Sequence, residues 1–408
     1  MKQIYKITTI LLLVFGIWAC NDYVTNVEKP TDLVDENELT ADDIIFLERT
    51  VEFRYAQTVS RLLMCAEGLS DAFIFDRDVR NATFPTYAEI DQGQILLNNN
   101  SVNGFYNYLG ELRKYADDLL TKANQFSLDS TSKARALYIA NFYGGMARYL
   151  YATYFGLNPT EGGATINLGP FIPSSEMYNL ALTKFKEALN YADSYQKRVT
   201  NTFIARIYLF TGDYANATQY ALQGMQEGDD PFQALFHKEA SNQYYIFAGR
   251  YRAQFVVDNR FKDYIDADST EMRPVGVNTT AGRISIELAP TRSGNPRYRQ
   301  ALILDEDDPL TTCTWQENNL MLAELALRGQ AAAGDPLTLV NQVRASHKIT
   351  LLTSIDLDGI YVERDKELFI QGLRLPDQRR FGKFHLPAGS WQYFPITDDE
   401  RNANPNID

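Results

Sequence analysis

The chain has 408 residues with 52 acidic and 39 basic side chains, a formal charge of −13 at pH 7. That balance argues against a nucleic-acid binder, which works by setting Lys and Arg on phosphates, and against attraction to anionic lipid surfaces. The length allows one large or two medium domains with an ample core, and 45% hydrophobic residues is ordinary for a globular protein.

Lys2 and Lys6, an apolar run from Ile7 to Trp18 and the small Ala19 read as a secretory signal over residues 1–19. The run is too short to cross a bilayer, which takes roughly 20 apolar residues. Cys20 follows directly, and Ile17-Trp18-Ala19-Cys20 is the arrangement of a bacterial lipoprotein signal. The thiol of Cys20 is therefore expected to carry lipid, palmitate included, and to become the new N-terminus. Cleavage removes Lys2 and Lys6 and no acidic residue, moving the balance from −13 to −15. Attachment would then rest on acyl chains, at roughly 0.8 kcal/mol per buried methylene. Residues 20–39 are polar and acidic, include Pro30, and read as a tether.

Thr40-Ala41-Asp42-Asp43 has the form of an N-cap with an acid three residues on, opening a helix from about Asp42 to Gly68. A loop rich in Asp, Arg, Asn and Phe spans Ser70 to Asp91, and two more helical patterns cover Gln94–Gln125 and Ser132–Phe155. Within 174–226, one helix starts at Ser175-Glu176-Met177-Tyr178, a second runs from Thr200 to Phe210, and Gly212-Asp213-Tyr214 turns into a third carrying Ala217 and Ala221. Two helices, a Gly turn and Ala at close-packing positions resemble tetratricopeptide helix pairs. Across 229–308 the helical period fades and Pro231, Pro274, Pro290 and Pro296 intervene, which predicts an irregular insert with a few short strands. Helices return at Thr314–Gly329, Pro336–Ala345 and Ile355–Gly372, and the tail after Arg374 lacks helical period.

Chemical signatures are sparse. His237, His347 and His385 lack metal-ligand spacing, and neither a phosphate loop nor a nucleophile elbow is present. Asp305-Glu306-Asp307-Asp308 could attract calcium but lacks the spaced pattern of a calcium loop, so a solvated acidic loop is expected and no metal or cofactor is assigned. Cys65 and Cys313 sit in apolar helical surroundings and read as buried free thiols, with a disulfide between them left open. Glu363 and Glu367, four apart, could be general acid and base. With Glu317, Glu324 and Arg328, Arg344, Arg364, Arg374, Arg379 and Arg380 nearby, an ion-pair network tying helices to the tail is the better reading.

The 25 Tyr and 23 Phe serve either helix cores or a ligand surface. Sugars are held by aromatic faces flanked by hydrogen-bonding side chains, and two loops have that mixture. One holds Phe75, Arg77, Arg80, Asn81 and Phe84; the other holds Tyr244, Tyr245, Phe247, Arg250 and Tyr251.

Three C-terminal motifs appear in order: Trp315-Gln316-Glu317-Asn318-Asn319 running into Leu322-Ala323-Glu324-Leu325-Ala326; Leu339-Val340-Asn341-Gln342-Val343-Arg344; and Val362-Glu363-Arg364-Asp365-Lys366-Glu367-Leu368-Phe369 with Gly372, Arg374, Asp377, Arg379 and Arg380. The chain then runs through Trp391-Gln392-Tyr393-Phe394-Pro395 to Asn404-Pro405-Asn406. This series is similar to the RagB/SusD family of Bacteroidetes surface lipoproteins. The resemblance covers most of the mature chain, is sharpest from Trp315 to Asn406 and thins across 229–308. It implies a mainly α, SusD-like scaffold in one domain over 40–408, with tetratricopeptide-like helix pairs and an irregular ligand-binding insert. It further implies a binding protein rather than an enzyme. Such a protein captures oligosaccharides, or peptides, at the cell surface and passes them to a SusC-like TonB-dependent transporter of the outer membrane. Two rival readings stay open, a lipid-anchored glycan hydrolase and a structural or adhesive repeat lipoprotein.

Overall fold

The computed structural model describes residues 38–407, so the signal segment, Cys20 and nearly all of the tether lie outside the described residues. The chain divides at Asp43 into two units. In the first, Ala41–Asp43 forms a single 3-10 turn. Here Asp43, not Thr40, supplies the capping oxygen: its carboxylate accepts from the Thr40 N–H at 2.8 Å and hydroxyl at 2.9 Å.

The second unit opens with α1 (Ile44–Leu69), whose buried stripe of Val51, Tyr55 and Val59 widens until every residue from Leu62 to Leu69 is buried. After strand β1 (Phe73–Ile74) come the short α2 (Pro85–Asp91) and the long α3 (Asn100–Gln125). Asn99 caps α3 by accepting from the N–H groups of Ser101 and Val102, both at 3.1 Å. This cap starts the helix six residues later than the apolar pattern from Gln94 suggests. Asp129 caps α4 (Ser130–Tyr154), which is buried continuously from Ala136 to Tyr154. α1, α3 and α5 (Ser174–Ala188) surround it. Gly145 permits the closest approach, because a Cβ there would lie 2.9 Å from the Phe185 ring. The ring of Phe142 sits among Tyr143, Phe185, Phe203 and Phe232 at centroid distances of 5.2–5.8 Å.

Between α4 and α5 lie β2 (Phe155–Asn158), β3 (Glu161–Ala164) and β4 (Ile172–Pro173). α6 (Ser194–Thr211) begins with a full capping box between Asp193 and Gln196, so it starts one and a half turns before Thr200. Gly212 ends it with φ 78°, the left-handed conformation, and Asp213 caps α7 (Tyr214–Ala221). The 229–308 region does contain short strands, β5 (Phe232–Ala234), β6 (Val256–Val257), β7 (Ile286–Leu288) and β8 (Tyr298–Gln300). It also contains two helices the sequence pattern did not show, α8 (Gln243–Ala248) and α9 (Arg260–Ala267). Helices of six and eight residues are too short for periodicity to reveal. β9 (Leu310–Cys313) then leads to α10 (Trp315–Leu327), α11 (Pro336–Ser346) and α12 (Leu357–Glu367). The tail is not free of helix either: α13 (Arg374–Arg380) and α14 (Asp398–Ala403) flank β10 (Phe394–Pro395).

The strands form three small sheets, in the orders β1-β6-β8-β7, β10-β2-β3-β4 and β5-β9. The first staples the insert to the end of α1. The second stitches the tail back to α4 through parallel pairing of Phe394 with Phe155. Cys65 and Cys313 are buried free thiols. Among the described residues no helix is long and apolar enough to cross a membrane.

The C-terminal acids and arginines form buried pairs. Glu363 gives one oxygen to Arg344 at 2.7 Å and the other to Arg283 at 2.9 Å. Arg283 also grips Glu271 through two bonds of 3.0 and 2.8 Å, and Lys366 reaches Glu271 at 3.0 Å. Arg364, fully buried, holds Asp377 at 2.7 and 3.2 Å, and Arg380 bridges Asp377 to Glu324. Arg206 of α6 clasps Glu317 of α10 at 2.7 and 2.5 Å. The partners extend beyond the tail: Glu271 and Arg283 belong to the insert, and Arg374 binds Asp71 at the end of α1 at 2.6 and 2.9 Å.

Glu67 stands apart, because it has no cation in contact. Burial pushes its carboxyl up to about 8, although its Oε1 accepts the Gly372 N–H at 2.6 Å. Folding therefore binds a proton between the unfolded value of 4.5 and about 8, and stability falls as pH rises through that window. Urea unfolding between pH 5 and 8 should show this slope, at most about 1.4 kcal/mol per pH unit for one proton. Asp91, pushed up to about 6 by burial, and His347, held above its ordinary value by Glu367, add to the same slope, so Glu67→Gln should reduce it without abolishing it; an unchanged slope would contradict a protonated Glu67.

Candidate functional site

The insert and the first loop meet at a cleft of about 490 Å³, bounded by α1, the start of α2, the first turn of α3 and α8. Its aromatic wall begins at Phe84, which precedes Pro85 at the first position of α2. Phe84 stacks on Tyr87 at 5.9 Å with a 13° interplanar angle. Phe247 of α8 joins them, 6.0 Å from Phe84 and 5.5 Å from Tyr87. Arg252 lies over the Phe84 ring at 4.3 Å.

One buried side chain holds this wall together. Gln254 Oε1 accepts from the N–H groups of both Thr83 and Phe84 at 3.0 Å, and its Nε2 donates to the carbonyls of Asn81 and Arg252. Four backbone groups from two loops are thereby satisfied by one amide. The opposite wall is polar. Asn100 and Ser101 line it at the start of α3, and the hydroxyls of Ser101 and Thr86 lie 2.9 Å apart. Arg61 enters from α1 with its guanidinium 4.8 Å from the Tyr108 ring centroid, and among the described residues it has no carboxylate partner. Gly104 leaves the wall open, since nothing lies within 4 Å of where its Cβ would be. Cys65 lines the cleft, but burial pushes its thiol up, so it stays protonated. Aromatic rings, amides, hydroxyls and a guanidinium without a carboxylate partner line the cleft, and no Asp, Glu or His is among its lining residues.

This architecture has counterparts among solved structures. A SusD superfamily protein from Bacteroides vulgatus ATCC 8482 is 14% identical, with TM-score 0.72 over 90% of this chain and 98% of that one. The fold is SusD-like. Surface glycan-binding protein A from Bacteroides thetaiotaomicron gives 15% identity and TM-score 0.69 over 90% and 98%. A laminarin-binding SusD-like protein gives 14% identity and 0.69 over 90% and 99%. The sequence matches no protein-family model and no curated protein.

On this SusD-like fold the sequence-derived residues separate into groups. Phe84 and Phe247 come together in the cleft. Arg80 and Asn81 are exposed on the same loop, where Arg80 Nε donates to the Thr291 carbonyl at 3.2 Å, and Arg77 is exposed nearby. Phe75 turns away and packs with Val79 and Val256. Tyr244 is a correction: it is fully buried against Phe73 at 6.0 Å and is part of the core. Its helix puts Tyr244 and Phe247 at different depths, a distinction that a loop assignment over Asn242–Tyr251 could not make. Tyr245 and Tyr251 pair at 6.2 Å outside the cleft, and Arg250 is held by Glu287 through two 2.8 Å bonds. Arg61, Tyr87, Asn100, Ser101 and Gln243 were missed, although the run Asn98-Asn99-Asn100-Ser101 marks a polar edge.

The acidic run takes a structural form. Asp308 Oδ2 accepts from the N–H groups of Leu304 and Asp305 at 2.7 and 2.8 Å, and the Glu306 carbonyl accepts from Asn242 at the start of α8. Among the described residues no cluster of His, Cys, Asp or Glu is arranged to hold a metal ion.

Gln254→Leu should release the 81–84 loop while leaving the hydrophobic core in place. Hydrogen exchange at the Thr83 and Phe84 amides should accelerate by tenfold or more, as expected when a bond worth about 1 kcal/mol or more is lost. Unchanged protection at those two amides would remove the clasp from the account.

Proposed function

We propose that this chain is a lipid-anchored glycan-binding protein of the cell surface that presents oligosaccharides to a SusC-like TonB-dependent transporter. The observation that carries the reading is the aromatic cleft of Phe84, Tyr87 and Phe247 facing Asn100, Ser101 and an unpaired Arg61 on a SusD-like fold. Ring faces meet the apolar C–H side of a sugar while the amides and guanidinium take its hydroxyls. Solved proteins of this fold are described as carbohydrate-binding, laminarin-binding and glycan-binding.

Binding is favoured over hydrolysis because no Asp, Glu or His lines this cleft. Glycoside hydrolysis ordinarily needs two carboxylates across the scissile bond. Of the two acids considered for catalysis on the hydrolase reading, Glu363 has both oxygens committed to guanidinium groups, and neither Glu363 nor Glu367 lines the aromatic cleft.

Gly104→Leu is the cleanest test. It enters an open space in a helix interior, so it should raise stability by up to about 1 kcal/mol while filling the cleft. Laminarin, starch, xylan and a casein-derived peptide mixture can be titrated by calorimetry against native and Gly104→Leu protein. The proposal expects binding to a glycan that the variant loses with its melting temperature intact. Binding to the peptides alone would replace sugar with peptide as the ligand class, and binding untouched by Gly104→Leu would move the site elsewhere.

The anchor is tested separately. Cells fed an alkyne fatty acid should label the native protein, and Cys20→Ala should abolish labelling and surface retention. A labelled Cys20→Ala protein would refute lipidation at that residue.

A further inference from the structure

We propose that a second cleft, at the end of α12, is a binding site for a small neutral polyhydroxylated ligand, a mono- or disaccharide. It does not rest on the aromatic cleft, with which it shares no lining residue. The space is about 450 Å³, within the usual range of small-molecule sites. It lies between the β5-β9 pair, the start of α10 and the turn that follows α12.

Two buried acceptors without hydrogen-bond partners line it, Glu367 Oε2 and Gln371 Oε1. The Glu367 side chain is only 6% exposed and Gln371 is 9% exposed. Buried polar atoms left unpaired cost free energy, and in native structures such atoms call for a partner.

The surroundings say what kind of partner. His347 stands 3.0 Å from Glu367 Oε1 through Nε2 and 3.0 Å from the Thr280 carbonyl through Nδ1. The Thr280 carbonyl accepts a hydrogen bond from one ring nitrogen, and the Glu367 carboxyl group occupies the other. Burial opposes a charge on the ring, but Glu367 outweighs it and holds His347 above its ordinary value. On the other side Arg283 approaches Glu367 Oε2 at 3.5 Å without forming a hydrogen bond. Arg283 is already bonded to Glu271 and Glu363, so what Glu367 Oε2 lacks is a hydrogen-bond donor. Gln371 Oε1 needs a donor too and carries no charge. A hydroxyl-bearing ligand supplies a donor to each.

The backbone aims these groups. Ile370, β-branched, is held at φ 61°, a left-handed conformation that such side chains rarely adopt. It directs the strand of chain from Phe369 to Gln371 along the cavity, where Trp315 and Phe369 add apolar surface for the C–H face of a sugar.

The test uses the full chain in detergent, in the Gly104→Leu background so that the first cleft is filled. Glucose, galactose, mannose, N-acetylglucosamine, maltose, lactose and cellobiose are titrated by calorimetry. At least one should bind. Gln371→Met, which keeps the shape and removes the acceptor, should weaken that binding about tenfold at unchanged melting temperature. Gln316→Trp, which fills the cavity from α10, should abolish it and keeps the question answerable if Gln371→Met does not fold. Binding that survives both variants overturns the second site. So does the absence of heat with every sugar in the Gly104→Leu protein. If the parent protein binds sugars and Gly104→Leu does not, the aromatic cleft is upheld and this site is refuted.

Discussion

The structure hangs on a lattice of buried charges centred on Glu271, Arg283, Arg344 and Glu363, each with a side chain no more than 4% exposed. Replacing such charges by well-packed apolar groups is often neutral, yet removing a single member leaves its partners uncompensated at a cost of about 3–5 kcal/mol. What the lattice confers is position. Glu271 and Arg283 come from an insert with little regular structure, and Arg344 and Glu363 come from two helices of the C-terminal scaffold. Burial would push the Glu271 carboxyl up, but Arg283 and Lys366 hold it below its ordinary value, so it stays ionised. An insert with little regular structure is thus fixed to the helical scaffold by ion pairs.

Aromatic residues differ in depth on both sides of that boundary. Tyr55, Tyr149 and Tyr154 of the scaffold and Tyr244 and Phe255 of the insert are nearly or fully buried, and Tyr154 donates its hydroxyl to the Gly372 carbonyl at 3.1 Å. At the insert edge the rings of Phe84 and Phe247 remain half-buried, held in place by hydrogen bonds to the backbone rather than by packing on every side. The same residue types thus fill the core at one depth and line a cleft at another.

Much of the scaffold was legible in the sequence because its signals are local. The α6–Gly212–α7 turn is written in one glycine, and the long helices in their apolar period. The ion-pair network was legible as chemistry, since so many Arg and Glu in the C-terminal third have few other uses. Its partners were not, because Arg283 lies 80 residues from Glu363 and no local pattern links them. The cleft failed for a related reason. Its walls come from four separate stretches, and whether Tyr244 or Phe247 faces outward depends on a six-residue helix whose only sequence mark is Asn242, which accepts from the Tyr244 N–H at 3.0 Å. Glu363 and Glu367 look equivalent by spacing, yet one is locked between two guanidiniums and the other keeps an oxygen free of hydrogen bonds.

The bond from Gly372 to Glu67 joins residues 305 apart, and Gly372, at φ 75°, lies so close to α1 that a Cβ would meet Leu63 at 2.7 Å. The deepest part of α1 therefore cannot close until nearly the whole chain has been synthesised. Burial in the folded chain holds the Glu67 carboxyl at about 8, above its unfolded value, so folding takes up a proton there. Completion of the fold is thus a late, long-range event that draws a proton from the medium near neutral pH, and the heat of refolding will depend on which buffer supplies it.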